Sequence, residues 1–206
     1  MRRLSLIAGL AVLVLIWAGP LLSVWRESFA AHMLAHMGVV AIAAPLIAIG
    51  VSDRIAAVRP SSALIASLVE LVVVWGWHMP AARLWATTSA FATMLEQAMF
   101  LAAGLFLWLT ALAAAGGSTA QSASGAFALL LTSIHMTLLG ALLALASRPL
   151  YGVGEVTCFG LVLDAGQDQA LGGVVMLMVG AAVYLAGVVF LLSRLLAGGE
   201  RERRPG

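Results

Sequence analysis

His32-Met33-Leu34-Ala35-His36-Met37 opens an apolar run from Ala30 to Gly50 that contains no Asp, Glu, Lys or Arg. A helix that crosses a bilayer needs about 20 mostly apolar residues, and this run is long enough. On a helix, residues four apart lie on one face, so His32 and His36 stack one above the other. Met33 and Met37 repeat the spacing on an adjoining stripe. Two imidazoles at i and i+4 can share one metal ion. Thioethers beside imidazoles favour soft metals, copper(I) above all. His78 and His135, the remaining histidines, are each followed directly by methionine.

Composition extends the membrane reading to the whole chain. It is 63% hydrophobic and 10% charged, against about 45–50% and about 25% in soluble domains. The expected fold class is an all-α integral membrane protein, a bundle of about six transmembrane helices forming one domain. The helices are expected near 4–22, 30–50, 62–79, 91–115, 126–146 and 171–196, with a charged cytoplasmic tail over 198–206. The first is read as a retained anchor rather than a cleaved signal peptide, because no small-x-small site follows its long apolar run. The Gly- and Ser-rich segment through Gly125 reads as a flexible linker. Ser147 to about Gln169 reads as a longer connection. Cys158 is the single cysteine, which excludes an intramolecular disulfide and any CxxC motif; a lone cysteine is more often inert than a soft-metal ligand, and both readings stay open. No polybasic, aromatic-interleaved patch points to nucleic acid.

All cations are arginines, and their placement sets the expected orientation. Arg2, Arg3, Arg54, Arg59, Arg194, Arg201, Arg203 and Arg204 fall on one side of a six-span bundle; Arg26, Arg83 and Arg148 fall on the other. Both termini are therefore expected in the cytoplasm of a bacterium whose inner membrane holds the protein. Trp17, Trp25, Trp75, Trp77 and Trp85 then lie near the outer boundary as interfacial anchors.

This orientation brings His32, His36, His78, Glu96, Gln97, Asp168 and Gln169 to one level in the outer leaflet, from four helices. Glu70 and His135 lie deeper, near the midplane. Ionisable groups in a bilayer cost about 2.5–3.5 kcal/mol even on insertion scales, so each is a functional candidate. Each also has a plainer reading. His32 and His36 can serve as interhelical hydrogen-bond partners, His78 as a cap before Pro80, and His135 as a packing partner of Glu70. Glu70 can equally be a relay. Met79 and Met136 point about 100° away from the histidine before each.

Several blocks together carry a resemblance. They are His32 to Met37 with Ala44-Pro45-Leu46, Trp75-Gly76-Trp77-His78-Met79-Pro80, and Met94-Leu95-Glu96-Gln97 with Phe100-Leu101. Further along come His135, Gly140, Arg148-Pro149-Leu150-Tyr151, and Asp168-Gln169-Ala170-Leu171-Gly172-Gly173 with Met176. In order and spacing the chain resembles the CtaG membrane family of cytochrome c oxidase assembly factors, associated with the caa-type oxidase. That family often shows a His-x-Leu-Glu-His-like segment in the fourth helix, where this chain has Thr93 and Gln97. The resemblance implies copper delivery or handling during maturation of a haem–copper oxidase, with oxidase subunits as partners.

The sequence reading is therefore an outward-facing copper site, expected to hold Cu(I) by donor softness, in a protein that is not expected to be an enzyme. Its metal candidates are His32, His36, His78, Met33, Met37 and His135. Glu70, Met79, Glu96, Gln97, Asp168 and Gln169 stand as supporting or pathway residues. The alternatives are a haem-binding electron carrier, in which His36 pairs with His78 or His135, and a metal-free scaffold of a respiratory complex.

Overall fold

A computed structural model describes residues 1–52, 59–114 and 118–202. Arg54 and the end of the charged tail lie outside the described residues. The chain forms α1 (Arg2–Trp17), α2 (Phe29–Met37), a π-helical segment (Gly38–Ala43), α3 (Ala44–Val51), α4 (Pro60–Trp77), α5 (Pro80–Thr88), α6 (Ala90–Ala114) and α7 (Thr119–Ala144). A hairpin of β1 (Glu155–Cys158) and β2 (Leu161–Asp164) follows, then α8 (Ala165–Glu202).

The chain is a multi-pass helical membrane protein, with fewer clear spans than the six expected. Phe29–Val51, Ala90–Ala113, Thr119–Ala144 and Ala165–Ala197 are long and apolar enough to cross a bilayer. Ser61–Trp77 and Pro80–Thr88 make a fifth only when counted together, because the chain bends by 71° between them. Pro80 causes the break: it lacks an N–H, and α5 restarts with proline in its first turn. The first helix ends at Trp17 instead of Leu22, since Gly19-Pro20 cannot continue it. Its 16 residues span about 24 Å at 1.5 Å each, short of a full crossing.

Other boundaries also move for local reasons. The supposed linker is helical from Thr119, because Ser118 and Gln121 form a capping box, hydroxyl to backbone and amide to backbone. The connection after α7 contains the antiparallel hairpin, with Cys158 paired to Leu161. Its turn, Phe159-Gly160, has positive φ at both residues (52° and 80°), the geometry that matches strand twist. Cys158 is buried against Ala30 and Ala31, so the hairpin lies on the start of α2. The last helix begins six residues earlier than the expected Leu171, because Gln167 N–H donates to the Asp164 carboxylate at 2.8 Å and Asp164 N–H to the Gln167 amide at 3.1 Å.

Pro45 does not kink the second span; the π segment absorbs it. In a π-helix the Val40 carbonyl would accept from residue 45, which has no N–H. The indole of Trp108 fills the vacancy, donating to Val40 O at 3.0 Å. Two further polar contacts cross the apolar interior. Ser67 and Thr132 share a hydrogen bond of 2.9 Å between α4 and α7, and the Tyr184 hydroxyl donates to Glu70 at 2.8 Å between α8 and α4.

Small residues set the closest helix approaches, as expected where lipid supplies no hydrophobic contrast. A Cβ at Gly173 would lie 2.5 Å from Ala144 N and 2.6 Å from Gly140 O. Both obstacles are backbone, so α7 and α8 would have to separate. A Cβ at Gly76 would meet nothing within 4 Å. Gly173→Ala is therefore expected to cost about 1–3 kcal/mol by overpacking, whereas Gly76→Ala should be neutral or gain up to about 1 kcal/mol of helix propensity. Thermal unfolding of the two variants in detergent checks this; equal melting temperatures would contradict the close α7–α8 contact.

Candidate functional site

The polar cluster sits at the hairpin end of the bundle and starts with the cap of α2. Ser28 accepts from Ala31 N–H at 3.1 Å and donates to Asp168 Oδ1 at 2.7 Å. Asp168 also accepts from Phe29 N–H at 2.5 Å and from Ala30 N–H at 3.2 Å. A carboxylate suits this place, because the first N–H groups of a helix have no internal acceptor and carry partial positive charge. Asp168 was expected to precede the last helix and to orient an imidazole or line the entrance. It instead occupies the first turn of α8, and its oxygens hold the start of α2. Gln169 is likewise occupied: its carbonyl accepts from Leu150 N–H at 2.6 Å, and its amide donates to Leu143 O at 3.1 Å.

With α2 held in this way, His32, Met33 and His36 enter the core, all buried. His78 meets them from the end of α4. The Val74 carbonyl accepts only, so His78 Nδ1 carries the proton and donates to it at 2.6 Å. In the neutral imidazole Nε2 is then a lone pair, and it lies 3.4 Å from the thioether sulfur of Met33. The His36 ring centroid is 5.4 Å from that of His78, and neither His36 nitrogen has a hydrogen-bond partner among the described residues. Phe100 closes the other side, 4.1 Å from the His36 ring. His32 is set slightly apart, with its ring 6.3 Å from His78 and Nε2 3.4 Å from Glu96 Oε1.

Residues outside the expected set complete the surroundings. Tyr151 stacks on Phe29 with centroids 4.4 Å apart and donates to the His78 carbonyl at 2.5 Å. Burial pushes its phenol up to about 12, against a smaller opposing pull from Arg83, so it stays a donor at neutral pH. Arg83 is itself buried. With Arg26, His32 and Thr93 it lines a cleft of about 20 Å³ that reaches His32, room for one water. Nothing in the sequence around Arg83 distinguishes it from an interfacial arginine.

The remaining expected residues lie elsewhere. Met79 is 61% exposed and turned away from the cluster. Met37 is buried, but its methyl lies 3.5 Å from where a Cβ on Gly180 would stand, on the α8 side. Gln97 accepts from the Trp17 indole at 3.3 Å. His135 and Glu70 are buried farther along α7 and α4. Among the described residues, no three His, Cys, Asp or Glu side chains come close enough together to hold a metal ion. Met33 is the thioether in contact with His78.

A family model described as cytochrome c oxidase caa3 assembly factor matches residues 1–197. No curated protein matches, and no solved structure matches.

Removing the Asp168 carboxylate leaves the Ser28 hydroxyl and two backbone donors without their acceptor. Asp168→Ala is expected to cost about 1–3 kcal/mol, with Asp168→Asn in between because its carbonyl still accepts. Melting temperatures in detergent report this, and wild-type stability in Asp168→Ala would show that the cap does not hold α2.

Proposed function

The chain belongs to the family of cytochrome c oxidase caa3 assembly factors, and on that premise we propose that it holds copper(I) with His36, His78 and Met33 and passes it to oxidase subunits during assembly. The observation that carries this reading is the pair of lone pairs facing each other. His78 Nε2 and Met33 Sδ are both acceptors, 3.4 Å apart, in a buried apolar pocket. Two acceptors that face each other repel unless something electron-poor lies between them. Imidazole and thioether donors without thiolate or carboxylate favour copper(I) over hard divalent ions.

The unpartnered His36 supplies a third donor one ring away. His32, paired with Glu96, stands between this pocket and the Arg83 cleft, where an incoming ion would first meet the protein. The arginine distribution supports an outward-facing position for this end, so copper would be received and released at the outer face. Nothing in this role requires covalent turnover, which fits an assembly factor better than an enzyme.

Replacing His36 and His78 together by alanine should lower the Cu(I) bound per chain by one, measured by competition with a chromophoric Cu(I) chelator under anaerobic conditions. Full retention in a folded double variant overturns the assignment. The absorption spectrum of purified protein serves the same purpose: a Soret band would replace copper by haem.

A further inference from the structure

We propose that the bundle contains a second Cu(I) site about one helical turn deeper, formed by His135 with the thioethers of Met37 and Met136 and neutralised by Glu70. It rests on the reading above only for the identity of its ion.

The placement follows from contacts around α8. Gly172, Gly180 and Tyr184 are spaced by multiples of four and share a stripe. At Gly172 a Cβ would lie 3.0 Å from Met33. At Gly180 it would lie 3.4 Å from Met136 Cβ and 3.5 Å from the Met37 methyl, so side chains from α2 and α7 meet at one level. Tyr184, one turn further, donates to Glu70. On the α4 side, Ser67 bonds Thr132. Both helices run toward the hairpin end, so moving three residues along each places Glu70 and His135 at the next rung. By this count His135, Met37, Met136 and Glu70 stand at one level, with Met136 about 100° round α7 from His135, so the ion would lie between the two directions. Met33 and Met37, four residues apart on α2, link it to the outer cluster over about 6 Å.

The polar groups of this layer are not explained by packing. Both nitrogens of His135 and the Oε2 atom of Glu70 are buried without a hydrogen-bond partner among the described residues. Each such atom costs about 1–3 kcal/mol, whereas Ser67, Thr132 and Tyr184 beside them are paired. A packing device would pair its own atoms. Charge selects the occupant. A carboxylate and one monovalent cation sum to zero, which a low-dielectric interior tolerates, whereas a divalent ion leaves an uncompensated charge. Imidazole and thioether then favour the soft monovalent ion, Cu(I). The two sites form a path from the hairpin end into the membrane.

The test is the Cu(I) stoichiometry of the full chain in detergent, with the same chelator. Wild type should bind two ions. Met37→Leu/Met136→Leu, which conserves volume, should bind one, as should His135→Gln and Glu70→Gln. His36→Ala/His78→Ala should retain the deeper one. Wild type binding one ion, unchanged in all the deep variants, overturns this proposal and leaves the outer site standing. One ion, unchanged in His36→Ala/His78→Ala but lost in the deep variants, overturns the outer site instead. No bound copper in the wild type overturns both. Melting temperatures of the variants separate loss of a ligand from loss of fold.

Discussion

The carboxylate of Asp168 receives three hydrogen bonds from the first residues of α2, and the geometry of the polar cluster depends on that contact. It joins two helices that are far apart in the chain. It also fixes which face of α2 turns toward α8 and which toward α4 and α6. Met33 and Met37 then pack along the glycines of α8, while His36 turns to Phe100 and His78. A shift of one residue at this cap would rotate α2 by about 100° and take the histidines out of the pocket.

The polar groups of the interior divide into two classes. Asp168, Gln169, Ser67, Thr132, Tyr184 and Trp108 have partners, and each of their bonds ties one segment to another. His36, His135, Glu70 and Glu96 have buried atoms without hydrogen-bond partners among the described residues. In an apolar bundle the first class stabilises the fold and the second costs free energy. Sites at which stability is given up are where function is expected. The result is a frame held by capped helix ends and close glycine contacts, with buried imidazoles set among thioethers.

Several misread boundaries had visible local signals. Ser118 and Gln121 spell a capping box, and Asp164 with Gln167 spells another, yet both were hidden by the Gly- and Ser-rich or connecting character of their surroundings. The hairpin was harder, since Phe159-Gly160 is not among the common turn pairs and four-residue strands leave little alternation. The expected role of Asp168 failed for a different reason. A carboxylate beside a histidine-rich level can orient an imidazole or cap a helix with equal chemistry, and only the start of α2 lying against it decides. The same holds for Met79, which shares the His-Met pattern but falls on the exposed side of the break at Pro80.

What the sequence determined by itself was the helical membrane class and the family, because hydrophobic length and motif order are local properties. What only the tertiary structure decided was grouping. It brought Met33 and His78 into contact, set His32 beside Glu96, sent Met37 to the α8 side with Met136, and left His36 and His135 unpaired. Those outcomes depend on how each helix is rotated about its axis. In a chain apolar on nearly every face, rotation is set by caps, glycine contacts and a few buried hydrogen bonds between distant segments, which no periodicity records.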